Sequence, residues 1–367
     1  MKFIIDRNAL YNELTFLQSA LEKRNTIPIL SHLLVEASAG KLTLRVTDLD
    51  LIVTTECPAE VPLKGAVCLP ARKLWEIVKS LPSAEIHCTV GADHQAELKC
   101  AGARFKLAGL ERDNYPEDQP YEGIWSELDA EVFARFIPRI MHAICQEDSR
   151  YALKGAKFEL NQERVRFVAT DGHRLALVER EGNFQAAQET DVLIPRKALN
   201  ELAKLCTEAE APVQIGRSEN RFYAQAGRRQ LSARLLSGDF PNYRAVIPTN
   251  HEHCFTLNCA TIAPALRRVA LMTESRSHAM TWALEKGQLQ LTANDKEGGE
   301  ADDCLTVDYE GAQVAIGFNV QFLSDFFNAV EEDQVSFSFK DAHSQALLTV
   351  DLGPQGRLEE VVMPLRS

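Results

Sequence analysis

Residues 42–48 read Leu-Thr-Leu-Arg-Val-Thr-Asp, an alternating strand pattern that ends in aspartate. The same pattern returns at residues 165–171 as Val-Arg-Phe-Val-Ala-Thr-Asp and at residues 289–295 as Leu-Gln-Leu-Thr-Ala-Asn-Asp. The two spacings are 165 − 42 = 123 and 289 − 165 = 124 residues. A pattern that recurs at about a third of the chain length predicts an internal threefold repeat.

Two further patterns recur at the same period and in the same order. A short apolar strand that leads into a helical pattern begins at Val67, Val192 and Val314. A large apolar or aromatic residue precedes Pro116, Pro241 and Pro364. We therefore predict three copies of one domain, which are copy one at residues 1–121, copy two at 122–249 and copy three at 250–367. A unit of about 120 residues can bury its own core, which excludes a solenoid of small repeats.

The first helical pattern of each copy places apolar residues on one face. In copy one they follow Asp6, a suitable helix cap, and are Leu10, Leu14, Leu17 and Leu21. Their counterparts are Val132, Phe133, Phe136, Ile137 and Ile140 in copy two, and Ile262, Leu266, Val269 and Met272 in copy three. Each copy has two such helices, separated by short alternating strands with turn residues. The prediction is an α+β fold in which two helices per copy pack on antiparallel sheets.

The composition indicates an ordinary globular protein, with 45% hydrophobic residues. No apolar run approaches the roughly 18–20 residues of a membrane span, and the start MKFIIDRNAL has no signal-peptide pattern. We expect a cytoplasmic location and no membrane contact. The nine cysteines are odd in number and form no CxxC pair, which favours reduced thiols over disulfides or zinc ligands. No phosphate-binding or zinc-protease motif is present, so we expect no cofactor or metal.

The net charge of −12 argues at first against a nucleic-acid partner. Basic residues are nevertheless concentrated in and beside the predicted helices. They are Lys23, Arg24, Arg72, Lys73, Lys79, Arg135, Arg139, Arg196, Lys197, Lys204, Arg267 and Arg268. If the helices share one side of an assembly, that side is basic and the other acidic. Ordinary solvated helix faces are the alternative interpretation.

Two clusters could indicate chemistry. Asp171 and His173 could form the acid–base pair of a hydrolase or transferase. Asp171 recurs as Asp48 and Asp295 with no histidine two residues later, so a turn-forming role is the better interpretation. The segment His-Glu-His-Cys at residues 251–254 could hold a metal, but it lies at a copy boundary, where polar linkers are expected.

Several segments together resemble the bacterial DNA polymerase III β subunit, the sliding-clamp family, and the resemblance covers the whole chain. The matching segments are RNTIPIL at 24–30, TDLDL at 47–51, PARKL at 70–74, TDGHRL at 170–175, IPRK at 194–197, FPNYR at 240–244, GFN at 317–319 and VVMPLR at 361–366. The resemblance implies a processivity factor and not an enzyme. It implies a head-to-tail homodimer whose six domains form a closed ring around double-stranded DNA.

The family resemblance also implies specific site residues. The positions that match DNA contacts are Arg24, Arg72, Lys73, Arg150, Tyr151, Arg196 and Lys197. A basic lining need only centre the duplex, because tight phosphate contacts would stop sliding. For the dimer interface we expect Phe105 and Leu107 on an edge strand of copy one to meet Leu271 and Met272 on a copy-three helix. Arg104 and Glu300 would lie at its rim.

In this family a hydrophobic cleft binds a short linear peptide of the polymerase III α subunit, the clamp loader, other polymerases and repair proteins. The matching residues are Leu153, Thr170, Gly172, His173, Arg174, Leu175, Pro241, Val246, Asn319, Val361, Met363, Pro364, Leu365 and Arg366. Ala245 departs from an arginine frequent at the rim, and Ser367 from an apolar last residue. A peptide-binding scaffold without DNA is a further alternative to the enzyme and the clamp.

Overall fold

The computed structural model describes residues 1–21, 27–118, 120–147 and 149–365. The chain divides into two compact units. The first contains Met1–Glu131 and Lys197–Leu235, and the second contains Val132–Arg196 and Leu236–Ser367. Copy two of the repeat is therefore shared between the units, because its first helix and first sheet belong mostly to the second unit and its last strands to the first.

Copy one begins with a strand and a helix and then forms a series of short strands around a second helix. Its elements are β1 Lys2–Asp6, α1 Arg7–Leu17, β2 His32–Ser38, β3 Lys41–Thr47, β4 Leu51–Pro58, β5 Glu60–Leu63, β6 Gly65–Pro70, α2 Ala71–Ser80, β7 Glu85–Val90, β8 Gln95–Cys100 and β9 Ala103–Ala108.

Copies two and three repeat this order without a counterpart of β5. Copy two contains β10 Ser126–Leu128, α3 Ala130–Ile140, β11 Gly155–Leu160, β12 Arg164–Thr170, β13 Arg174–Glu181, β14 Thr190–Pro195, α4 Arg196–Thr207, β15 Val213–Arg217, β16 Arg221–Ala226 and β17 Arg229–Arg234. Copy three contains β18 His253–Asn258, α5 Cys259–Val269, β19 Ala279–Glu285, β20 Gln288–Asn294, β21 Glu300–Thr306, β22 Val314–Asn319, α6 Val320–Ala329, β23 Gln334–Phe339, β24 Ala346–Asp351 and β25 Arg357–Val362.

The strands of the first unit form two sheets, with orders β5-β1-β7-β8-β9 and β10-β15-β16-β17-β4-β3-β2-β6. Those of the second unit have orders β14-β11-β12-β13-β25-β24-β23-β18 and β21-β20-β19-β22. Each eight-stranded sheet joins two copies by an antiparallel pair, β17 with β4 in one and β13 with β25 in the other. The predicted α+β fold with two helices per copy on antiparallel sheets is confirmed.

The helices follow from their sequence patterns. Asp6 caps α1 by accepting hydrogen bonds from the backbone N–H groups of Asn8 and Ala9, as predicted. Leu10, Leu14 and Leu17 are buried. Two of the expected helical positions lie elsewhere. Leu21 follows the end of α1, and Met272 lies in a 3₁₀ turn, Ala270–Met272, that continues beyond α5.

The recurrent aspartate caps a turn in all three copies by accepting from the N–H two residues later, although the copy-three turn is one residue longer. Asp48 Oδ1 accepts from the N–H of Leu51 at 2.7 Å, and Asp171 Oδ1 accepts from the N–H of Arg174 at 3.0 Å. Asp295 Oδ1 accepts from the N–H of Gly299 at 2.7 Å. The carboxylate replaces a backbone acceptor where the strand reverses. The prediction that these residues form turns is confirmed.

Within the described ranges, all nine cysteines are free thiols. Six of them are buried, and burial raises the pKa of the Cys57 and Cys88 thiols to about 12, which makes them unreactive at neutral pH. Cys254 and Cys304 are exposed. No helix in the described part of the chain is long and apolar enough to cross a membrane.

Candidate peptide-binding cleft and charged surfaces

The second unit contains an open pocket of about 100 Å³. Its walls come from the turn between β12 and β13, the segment after Phe240 and the end of β25. The lining residues are Thr170, Gly172, His173, Arg174, Leu175, Pro241, Tyr243, Val246, Val361 and Met363. Residues of copies two and three share this pocket because β13 pairs with β25 within one sheet.

The structure brings nine of the predicted cleft residues into this lining. Leu153, Asn319, Pro364 and Leu365 lie outside it. Asn319 instead caps α6 by accepting from the N–H of Gln321 at 2.9 Å. Arg366 and Ser367 lie outside the described residues, whereas Ala245 lies in a 3₁₀ turn over Tyr243–Ala245. Tyr243 also lines the pocket, although it is not among the predicted cleft residues. Its place directly after the Phe-Pro-Asn of the third repeated pattern was the available signal.

The C-terminal segment is fixed by two backbone hydrogen bonds. The N–H of Met363 donates to the His173 carbonyl at 3.1 Å, and the N–H of Leu365 donates to the Gly317 carbonyl at 2.8 Å. The first bond holds the segment against the β12–β13 turn and the second holds it against β22. This wall of the pocket therefore depends on residues that follow the last strand.

The floor of the pocket is apolar and well packed. Its buried cluster is Val168, Leu175, Leu177, Tyr243, Leu347 and Val361, with Phe240, Val246 and Ile247 packed against it. Met363 is half-buried at the edge. An apolar floor with a flexible methionine suits the burial of leucine or phenylalanine anchors from different peptides.

A polar network holds Tyr243 in place. Its hydroxyl donates to Glu159 Oε2 at 2.9 Å and accepts from Arg166 Nη1 at 2.6 Å. Arg166 is buried and also donates to Glu179. Burial alone would raise the pKa of Glu179, but the hydrogen bonds and charges of Arg166 and Arg357 outweigh it and lower that pKa. The tyrosine ring is thus fixed by its hydrogen bonds to Glu159 and Arg166 behind the pocket.

Arg174 has a structural role as well as a place in the lining. Its Nη1 donates to Asp325 Oδ2 at 2.9 Å and its Nη2 to the His142 carbonyl at 2.6 Å. The guanidinium also lies 4.6 Å from the centre of the Phe322 ring. Because these partners occupy the guanidinium, we expect the backbone of the cleft, and not Arg174, to bind the polar groups of a ligand.

Asp171 and His173 are arranged as parts of a turn. Asp171 Oδ1 accepts from the backbone N–H of His173 at 2.9 Å, and Asp171 Oδ2 accepts from Arg174 Nε at 3.2 Å. The exposed imidazole of His173 is stacked 6.2 Å from the Phe322 ring. The aspartate is therefore engaged by the turn and by Arg174, which weakens the acid–base interpretation.

The residues of the possible metal site diverge. His253 and Cys254 are consecutive in β18, so their side chains point to opposite faces of the sheet. His253 lies against Tyr309, with 3.4 Å between its Nδ1 and the tyrosine hydroxyl. Cys254 Sγ is 3.4 Å from Ser336 Oγ. This arrangement does not place the two residues around one ion.

The predicted DNA contacts differ in their availability. Arg72 and Lys73 project from α2 with side chains that are 82% and 64% exposed. Both also lie within ion-pair distance of Glu76, at 3.4 and 3.7 Å. Tyr151 is also exposed, and Arg150 donates to the Asp171 carbonyl at 2.5 Å. Arg196 and Lys197 are less exposed and also have partners in the chain. Arg196 donates to the Ile144 carbonyl at 3.3 Å, and Lys197 forms an ion pair with Asp48. Arg24 lies outside the described residues.

Two of the predicted interface residues are exposed and two are not. Leu271 is 81% exposed and Met272 is 38% exposed, in the 3₁₀ turn after α5 and not on the helix itself. Phe105 is half-buried and Leu107 is 7% exposed. Both lie on β9, which is an edge strand, as expected. The rim residue Arg104 is paired with Glu97 of its own sheet at 2.6 Å.

Comparison with known proteins gives matches over the whole chain. Three family models match in order, for the N-terminal domain of the DNA polymerase III beta subunit at residues 1–119, its central domain at 127–242 and its C-terminal domain at 244–366. Beta sliding clamps of Caulobacter vibrioides and Escherichia coli are 34% and 31% identical to the chain, with full coverage of both chains in each case. The crystal structure of the Bartonella birtlesii sliding clamp bound to griselimycin has a TM-score of 0.94 at 33% identity, again with full coverage of both chains.

Proposed function

The chain belongs to the DNA polymerase III beta subunit family, and from this premise we propose that it is a sliding clamp, a non-catalytic processivity factor that encircles duplex DNA and tethers the replicative polymerase. The observation that carries the proposal is the match of all three domains, in order, to this family. The turn role of Asp171 supports a binding protein over the hydrolase or transferase alternative. We also propose the copy boundaries 1–121, 122–249 and 250–367 as the domain boundaries.

The strand pairing supports a head-to-tail dimer. At both junctions within the chain, the last strand of one copy pairs with the outermost strand of the four that the preceding copy contributes to the sheet, as β17 does with β4 and β25 with β13. In the described residues, β9 and β21 are the corresponding strands that remain at sheet edges. Pairing β9 of one chain with β21 of a second chain would repeat the junction twice more and close a ring of six domains.

The cleft supports the proposed partners. Its apolar floor and the methionine at its rim suit a short linear peptide of the polymerase α subunit, the clamp loader, other polymerases or repair proteins. The exposed Arg72 and Lys73 supply positive charge for weak contacts with phosphates. We propose that Arg150, Tyr151, Arg196, Lys197 and Arg24 add to the same surface, with the intramolecular partners of Arg196 and Lys197 limiting their share.

Retention on DNA of different topology tests the clamp. We expect protein loaded by a clamp loader to stay on nicked circular DNA through a wash at moderate salt, and to leave after the circle is cut once. The reason is that a closed ring is held by linkage, whereas phosphate contacts weaken steeply with salt. Equal release from circular and linear DNA would contradict the encircling ring and would favour the scaffold without DNA.

A further inference from the structure

The first unit contains an open cavity of about 620 Å³, which is larger than the peptide-binding cleft. It lies on the sheet that joins copies one and two, over β3, β4, β16 and β17. The segment that follows Arg112 forms its other wall. This is the position that the peptide-binding cleft occupies on the sheet that joins copies two and three.

The internal repeat makes the correspondence residue by residue. In copy one Thr47 of β3 pairs with Ile52 of β4, and in copy two Thr170 of β12 pairs with Leu175 of β13. The two sheets therefore have the same register, and corresponding residues of these strands differ in number by 175 − 52 = 123. Ser232 pairs with Ile52 as Val361 pairs with Leu175. Leu175 of the cleft floor corresponds to the apolar Ile52, but three other apolar floor residues have polar counterparts in the cavity. The pairs are Val168 and Arg45, Leu177 and Thr54, and Val361 and Ser232.

One wall of the cavity is aromatic. The ring of Tyr121 is stacked on that of Tyr223 at 4.8 Å and meets the edge of Trp125 at 4.7 Å. The Tyr121 hydroxyl donates to the Ile124 carbonyl at 2.9 Å, which fixes the ring. Stacked aromatic faces attract guanidinium and ammonium groups through the charge distribution of the ring.

The carboxylates that line the cavity include an oxygen atom to which no neighbouring group among the described residues donates a hydrogen bond. Asp118 Oδ1 is buried and has no hydrogen-bond partner in the part of the chain that the structure describes. Its Oδ2 lies 3.7 Å from Arg45 Nη2, beyond hydrogen-bonding distance. Arg112 Nε is 3.8 Å from Glu36 Oε1, and Glu117 adds a third carboxylate. A buried carboxylate oxygen without a donor is costly, so a donor from a ligand would be stabilised here.

We propose that this cavity is a second docking groove, which takes an arginine side chain from an extended segment of another polypeptide. The guanidinium would donate to Asp118 and lie against Tyr121 and Trp125, because it combines several fixed donors with a planar face. Arginine fits better than lysine, whose compact ammonium would not cover an aromatic wall. The groove would bind a different chemical class from the apolar cleft and would leave that cleft free.

Fluorine NMR on protein labelled with 5-fluorotryptophan tests the proposal. The chain has three tryptophans, and the Trp125 signal is assigned from its loss in Trp125→Phe. The probe is the peptide acetyl-Ser-Tyr-Arg-Tyr-Ser-amide, and its twin has neutral citrulline in place of arginine. We expect a saturable shift of the Trp125 signal with the arginine peptide and about tenfold weaker binding of the twin, since a charge-assisted hydrogen bond is lost.

Asp118→Asn keeps the shape of the side chain and should lower the affinity for the arginine peptide by about tenfold. Glu117→Gln, on an exposed residue of the same wall, should weaken it by about threefold without any risk to folding. Glu127→Gln, at the exposed middle residue of β10, and Met363→Ala in the peptide cleft should have no effect. Equal binding of the two peptides, or no effect of both acidic variants, would overturn the site. An N-acetylarginine amide that binds as tightly as the peptide would overturn a polypeptide as the partner.

Discussion

At the residue scale, the repeated turn shows how one position can be strained in one copy and relaxed in another. Leu49 and Gly172 follow the aspartate of the turn in copies one and two, with φ of 84° and 88°. Glycine adopts this backbone conformation freely, whereas a leucine with its Cβ does not. The strain in copy one is therefore a property of Leu49 itself and not of the turn.

Leu49→Gly should raise the free energy of unfolding by about 0.5–1 kcal/mol, because relief of the left-handed strain exceeds the added entropy of the unfolded chain. Leu49 is 49% exposed, so little packing is lost. Gly172→Ala is the matched change in the opposite direction and should destabilise, since the new Cβ would also lie 2.6 Å from Arg150 Nη1. Urea unfolding measures both. A destabilised Leu49→Gly would show that the Leu49 side chain has contacts that outweigh the strain.

Glu360 should make stability depend on pH. Its carboxyl is 0% exposed, and burial raises its pKa although His142 Nε2 lies 3.0 Å away. The folded state therefore holds this proton more tightly than the unfolded state, where the ordinary pKa is 4.5. The stabilisation is complete below that value and is lost as pH rises through the raised pKa of the folded state.

We accordingly expect the melting temperature of Glu360→Gln to increase relative to wild type as pH rises above about 4.5, because the variant has no proton to lose. Differential scanning calorimetry of both proteins across this range gives the difference curve. Glu219→Gln, at an exposed glutamate, is the control and should give a flat difference. A flat curve for Glu360→Gln as well would mean that the buried carboxyl does not titrate differently on folding.

Individual residues were predictable where the signal was local. The turn role of Asp48 and Asp171 followed from their recurrence. The engagement of Arg174 did not, because its partners Asp325 and His142 are distant in sequence and nothing local indicates them. Tyr243 was missed for a related reason. When the Phe240-Pro241 and Tyr115-Pro116 patterns are aligned, its counterpart in copy one is Asp118, so the repeat did not indicate an apolar position.

At the scale of elements, the periodic patterns predicted the helices and most strands, but not which strands pair across copies. The β4–β17 pair joins residues near position 53 to residues near position 231, and sequence alone carries no register for so distant a pair. The helix of copy three was placed correctly, while its end was not. The chain tightens there into the 3₁₀ turn that carries Leu271 and Met272.

The edge strand and this turn lead to a prediction about assembly. Leu271→Ala with Met272→Ala should dissociate the proposed dimer, since burial of each side chain in an interface contributes about 1.5–3 kcal/mol. Both residues are exposed in the single chain, so its folding should be unaffected. Sedimentation velocity at nanomolar concentration measures the change, with Leu63→Ala at another exposed leucine as the control. A double variant that remains wholly dimeric would place the interface elsewhere.

At the scale of the whole molecule, an acidic protein and a DNA-binding function are compatible. A net charge of −12 would oppose a protein that binds DNA by affinity, but a ring needs only local positive charge where DNA passes. The composition alone therefore pointed away from the function, and the threefold repeat with its family resemblance pointed toward it. The proposed DNA contacts and the proposed partner cleft involve different residues, so we expect the two functions to be separable.

Removal of residues 363–367 tests that separation. The deletion starts after β25 ends at Val362, so the eight-stranded sheet should remain intact. It removes Met363 from the pocket and the two backbone hydrogen bonds to His173 and Gly317. We expect the binding of a fluorescent peptide of the QLxLF type to weaken by more than about 2 kcal/mol, the usual cost of losing a hot-spot wall.

For this test the dimer is assembled on linear DNA that is then circularised, so that no clamp loader is needed. Under these conditions the same deletion should change neither the dimer nor its residence time on the circular DNA. His173→Ala is the matched point variant. It should weaken peptide binding only modestly, because the imidazole lies at the rim of the pocket while Leu175 and Val361 form the floor. Peptide affinity equal to that of the full chain would exclude this pocket as the docking site. Loss of the ring together with the peptide would instead show that the C-terminal segment stabilises the fold, and that the two functions share one structural element.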